Sequence, residues 1–156
     1  MLNSYLSILE ESLEKKLAAL KHIEEINSIQ TQTLKREEFD MEAFDRTVDE
    51  KDIYVEELSK LDEGFEVLYD RVKEELLVDK SKYAVQIRRM QELISEITDK
   101  SVAIQAEESR NKALLESYFA RQRQDLGKVR KSSKAAYGYY QNMNNKTDSF
   151  FLDKKK

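Results

Sequence analysis

The sequence predicts an all-α protein, an elongated antiparallel coiled-coil hairpin or three-helix bundle with a long third helix. Three observations carry this. The 156 residues contain no Pro and only three Gly, so the tight turns that a sheet of this size requires have no residues to make them. Charged residues make up 37% of the chain, and Ala, Leu, Glu, Lys, Gln and Arg dominate, as in long helices with solvated faces. Apolar residues recur at heptad spacing through three successive segments.

The first segment runs from about residue 2 to 36. Leu6, Leu13, Leu20 and Leu34 keep a seven-residue repeat, and Leu9 and Ile23 fill the steps between. Lys16, Asn27 and Gln30 interrupt the seam, while Leu17, Ile26 and Ile29 widen the apolar stripe around the interruptions. A stripe this wide implies more than one packing partner. The polar stretch Glu37-Glu38-Phe39-Asp40 then breaks the pattern, with Asp40 placed to cap a helix starting at Met41 and Glu42 in its first turn.

The second helix is expected over 41–78, with Val48, Val55, Leu58, Phe65, Tyr69, Val72 and Leu76 on its seam and Leu61 and Leu68 beside it. Gly64 lies inside it, either as a tolerated weak point or as a place of close helix approach. At Asp79-Lys80-Ser81-Lys82 the apolar phase slips by one residue, which predicts a turn or kink, with Ser81 as the cap of the next helix. The third helix is expected over about 82–135, through Tyr83, Ile87, Met90, Ile94, Ile97, Ile104, Leu115 and Tyr118, with polar Ser101, Glu108 and Asn111 on the seam. It is the longest of the three, so its end should overhang the hairpin from near Phe119, leaving the apolar residues there exposed. Residues 1–137 form one helical domain, and 138–156, rich in Asn and ending in three Lys, are expected to be a mobile tail.

Charge is unevenly spread. The net value is -4, yet residues 1–79 carry roughly -12 and residues 120–156 roughly +7. The C-terminal part therefore meets a different environment or partner. No apolar run approaches the ~18 residues of a membrane span, and the N-terminus lacks signal-peptide character. A cytoplasmic location is the expectation, in keeping with the absence of Cys.

Catalysis finds no support. His22 is the only histidine and sits among Lys21, Glu24 and Glu25, as a solvated surface residue would. One His and no Cys are too few for the usual metal sites, so neither metal nor cofactor is expected. There is no glycine-rich phosphate loop or nucleophile elbow. The basic stretch Arg121, Arg123, Lys128, Arg130, Lys131 and Lys134, followed by Tyr137, Tyr139 and Tyr140, has the residue types of a single-strand nucleic-acid surface, but the chain is acidic, with a pI near 5.3. Complementing a helix C-terminus, or binding a protein, suits that stretch better than nucleic acid. The polar seam residues Ser101, Glu108 and Asn111 have two readings: buried groups that fix register, or one wall of a groove that a partner fills.

Several stretches resemble the FlgN-type flagellar export chaperones. They are the Leu-rich first helix, the second-helix sequence FDMEAFDRTVDEKDIYVEELSKLD, the third-helix run IQAEESRNKALLESYFARQR and the closing AAYGYY. The likeness spans most of residues 1–140, with Asn111-Lys112-Ala113-Leu114-Leu115 and the late tyrosine as its more specific parts. It implies a non-enzymatic cytoplasmic chaperone of flagellar type III secretion. Such a protein holds hook-associated proteins by their C-terminal helices and delivers them to the membrane-embedded export gate. The decay of the seam, the reversal of charge and the expected overhang place client binding on Asn111, Leu114, Leu115, Tyr118, Phe119, Gln122, Leu126 and Val129. On the resemblance the gate would be met by Tyr137, with Tyr139 and Tyr140 as alternatives. A homodimer, a purely structural coiled-coil adaptor or tether, and a chaperone of the filament-cap type stay open.

Overall fold

The computed structural model describes residues 2–122, which form three long helices and no strand: α1 (Leu2–Lys35), α2 (Met41–Val78) and α3 (Ala84–Gln122). Among the described residues, no helix is long and apolar enough to cross a membrane. The expected continuation of the third helix to 135 and the tail over 138–156 lie outside the described residues.

The chain runs up, down and up. Lys16 meets Asp62 and Asn27 meets Lys51, so α1 and α2 are antiparallel; Glu24 meets Lys100 and Thr31 meets Asn111, so α1 and α3 are parallel. α1 packs along both neighbours, whereas α2 and α3 make no close backbone approach to each other. This is why its buried stripe is the widest, extending beyond the Leu repeat to Leu17, Ala19 and Ile26. The main core joins Leu6, Leu9, Leu20 and Ile23 of α1 to Leu58 and Val72 of α2 and to Leu93, Ile97 and Ile104 of α3.

Both turns follow from local chemistry. Asp40 is the N-cap of α2: its Oδ1 accepts from the Ala43 N–H at 3.1 Å and its carbonyl accepts from the Phe44 N–H at 3.1 Å. After Val78 the chain takes two successive tight turns, with the Lys82 N–H on the Asp79 carbonyl and the Tyr83 N–H on the Lys80 carbonyl, both at 3.2 Å. The third helix consequently starts two residues later than expected. Its first carbonyl acceptor is Tyr83, which takes the Ile87 N–H at 2.9 Å, so the capping position expected at Ser81 falls at Tyr83.

Gly64 is exposed, and a Cβ built there would meet nothing within 4 Å. Close helix approach is thereby removed as its explanation, leaving a weak point in the helix. Gly64→Ala should stabilise the chain by about 0.5–1 kcal/mol and raise its Tm by about 1–4 °C in a thermal melt followed by circular dichroism.

Candidate functional site

The polar residues that interrupt the heptad seams come together. Lys51, on the α2 seam between Val48 and Val55, projects into the middle of the bundle. Its Nζ donates to Asn27 Oδ1 at 3.1 Å, to Gln30 Oε1 at 2.9 Å and to Glu108 Oε2 at 2.9 Å, with the other Glu108 oxygen at 2.8 Å. Asn111 extends the layer: its Nδ2 donates to the Asn27 carbonyl at 3.1 Å, and its Oδ1 accepts from Thr31 Oγ1 at 2.6 Å. All five of Asn27, Gln30, Lys51, Glu108 and Asn111 are buried. Of the two readings of Glu108 and Asn111, burial therefore removes the open groove, and both belong to the enclosed polar layer. Ser101, also buried, turns its hydroxyl back to the Ile97 carbonyl at 2.7 Å.

The layer is incompletely satisfied. The amide nitrogens of Asn27 and Gln30 and Oε1 of Glu107 are buried without a hydrogen bond of good geometry. Burial raises the Glu107 carboxyl above its ordinary 4.5; the facing Asn27 amide opposes this, Glu24 adds to it, Arg110 opposes it and Glu108 adds to it. A carboxyl raised in the folded state is charged at a cost the unfolded chain does not bear. That cost is present at neutral pH and is relieved as pH falls through the raised value toward 4.5. Glu107→Gln should therefore raise the urea midpoint at neutral pH. The gain should fade as pH approaches 4.5, where the wild-type carboxyl is itself largely protonated in the folded chain.

Beyond the polar layer lies a second, small apolar cluster. Phe44 and Val48 of α2 pack on Leu115 and Phe119 of α3, and Leu34, Phe39, Met41 and Tyr118 close around them. Tyr118 lies against Phe39 at 4.4 Å between ring centroids and edge-on to Phe119 at 5.5 Å. This corrects the expectation of an exposed apolar stripe: Leu115 and Phe119 are buried, and Asn111 belongs to the polar layer. The physical reason is that the 36–40 turn and the start of α2 reach past the end of α1 and cover α3 there. Leu114, at 36% exposure, and one side of Tyr118 remain accessible. The Gln122 side chain, Leu126, Val129, Tyr137, Tyr139 and Tyr140 lie outside the described residues.

His22 is half-exposed, stacked on Tyr54 at 4.9 Å with 14° between the rings and 3.9 Å from Glu25, a packed surface residue. Among the described residues no group of three His, Cys, Asp or Glu side chains converges as a metal site would require. A second polar step, the pair of Lys16 and Asp62, lies between α1 and α2 on the far side of His22 from the Lys51 layer. Sequence reasoning missed both Lys51 and Asp62, although each fills a seam step left vacant by the apolar count, 48-55 and 58-65.

Comparison of the chain with protein-family models, curated proteins and solved structures finds no significant match.

Proposed function

We propose that this chain is a non-catalytic export chaperone of the FlgN type. It acts in the cytoplasm, binding hook-associated proteins of the flagellum through their C-terminal helices and handing them to the export gate. The observation that carries this beyond the resemblance is the end of α3. Thr31 sits beside Asn111; α1 ends four residues on, at Lys35, and α3 continues eleven, to Gln122. The third helix thus outruns the first by ~10 Å. The open side of Tyr118 lies on this overhang, and the exposed Leu114 stands just before it, level with the last turn of α1. A client helix laid on this surface would pack as an additional helix against the outer side of α3.

The chemistry of the buried layer suits a scaffold and not an active site, because the Lys51 ammonium is committed to acceptors on both neighbouring helices. The basic C-terminal part is assigned to the gate contact, with Tyr137, Tyr139 or Tyr140 as the aromatic anchor.

The test is co-purification of candidate flagellar subunits with the full-length chain and its point variants. Tyr118→Ala should weaken capture of a hook-associated protein about 30-fold, the loss expected on removing an aromatic anchor. Tyr137→Ala should leave capture intact and impair delivery to the export apparatus. Thermal melts separate lost binding from lost packing against Phe39. Failure of the wild-type chain to bind any hook-associated protein would refute the assignment, and selective capture of the filament-cap protein would reassign it to the other chaperone type.

A further inference from the structure

At the opposite end of the bundle from the proposed client face, α2 and α3 diverge from the 79–83 turn and leave a groove of about 450 Å³ between them. Tyr69, Leu76 and Leu77 form one wall, and Ala84, Ile87 and Met90 the other; α1 contributes nothing to its lining. On either side of the turn Val78 and Val85 are 88% and 81% exposed, though neither lines the groove. With Leu77, 49% exposed on the α2 wall, the groove itself presents apolar surface to solvent of the kind that marks an interaction site.

The charge around this groove is opposite to that of its surroundings. Among the described residues its charged lining is Lys73, Lys80 and Arg88, with no carboxylate, although residues 1–79 carry roughly -12. Lys73 is paired with Asp70 at 3.2 Å. Lys80 and Arg88 have no ion-pair partner among the described residues. The two cations stand on the turn and on α3, so they flank anything lying between the walls.

We infer that the groove between α2 and α3 at the 79–83 turn is a docking site for an amphipathic helix of a partner protein whose polar flanks are acidic. Its dimensions fit one. The α2 wall from Tyr69 to Leu77 is ~12 Å long and the α3 wall from Ala84 to Gln91 ~11 Å, enough for apolar anchors at i, i+3 or i+4, and i+7. A fourth helix here would rest on both α2 and α3 where their backbones stand apart. The chain's own C-terminal part is a poor occupant, because residues 120–156 carry roughly +7 and the apolar triplet Phe150-Phe151-Leu152 is followed by Asp153 and three Lys. Like charge at the rim opposes it. This inference is independent of the flagellar assignment and concerns a different surface.

The test uses the full-length chain and two fluorescein-labelled helical peptides of about 18 residues that share Leu at i, i+3, i+4 and i+7 and differ only in flanking Glu or Lys. By anisotropy at low salt the Glu peptide should bind at least about tenfold more tightly than the Lys peptide, with the difference shrinking as salt screens it. The double variant Lys80→Glu/Arg88→Glu should reverse the preference. Ala84→Trp, at an exposed wall position, should fill the groove and abolish saturable binding of the Glu peptide, with circular dichroism unchanged. Equal affinity for the two peptides, or wild-type binding by both variants, would overturn the inference. So would a dimer, seen by light scattering, that Ala84→Trp dissociates, since the occupant would then be a second copy.

Discussion

Lys51→Met is expected to lower the unfolding free energy by about 3–5 kcal/mol. The ammonium donates to three buried acceptors, on Asn27, Gln30 and Glu108. Removing it leaves the buried Glu108 carboxylate without its cation and two amide oxygens unmatched. The companion substitution separates the value of the pair from the cost of a lone charge. In Lys51→Met/Glu108→Leu no ion is left behind, and most of the lost stability should return, because a buried ion pair contributes little beyond what apolar replacements supply. Recovery should be incomplete, since the Asn27 and Gln30 oxygens still lack their donor. Urea unfolding of the wild type, both single variants and the double variant gives the coupling directly. Additive losses in the double variant would show that Lys51 and Glu108 act separately.

What stability does not require, register does. Heptad seams built only of Leu and Ile permit neighbouring helices to slide by a whole repeat with little change in apolar contact. In this bundle a shift of seven residues would carry Lys51 away from Asn27, Gln30 and Glu108 together. It would also separate Lys16 from Asp62. Two polar steps at different heights along α1 thus exclude slipped packings that either alone would only penalise.

The helices were legible in the sequence because their signal is periodic and local. The bounds 41–78 of the second helix coincide with the observed ones, the first differs by a single residue, and the slip of apolar phase at 79–82 marks a real turn. The polar layer was half legible. Asn27, Gln30, Glu108 and Asn111 stood out as interruptions, but Lys51 and Asp62 passed as members of a solvated face, since a charged residue at a vacant seam step looks like any other. Aligning the interruptions of one helix with those of its neighbour would have found them: 16 faces 62 and 27 faces 51 in the same antiparallel register. The burial of Leu115 and Phe119 was not legible, because comparing helix lengths treats the connecting turn as having no bulk. Phe39 and Met41, at and just after that turn, are what close over the end of α3.

Phe44→Ala should cost about 3–5 kcal/mol locally, but its effect on the whole bundle should be smaller than that of Leu20→Ala in the main core, expected at about 2–5 kcal/mol. Both side chains are buried, and they differ in what surrounds them. Leu20 belongs to the continuous core shared by all three helices, whereas Phe44 belongs to a cluster of four buried residues closed off by the Lys51 layer. A small cluster beyond a polar layer can open without taking the main core with it. In hydrogen exchange, Phe44→Ala should speed the amides of 41–50 and 111–121 and leave those of 13–26 near their wild-type protection, while Leu20→Ala should lower protection throughout. Uniform acceleration by Phe44→Ala would mean that the end of the bundle is not a separate unit. If it is one, the segment that opens most readily adjoins the face proposed for the client helix. Loosening Phe44 should then expose Leu115 and Phe119 to that helix and speed client association, even as the free chain becomes less stable.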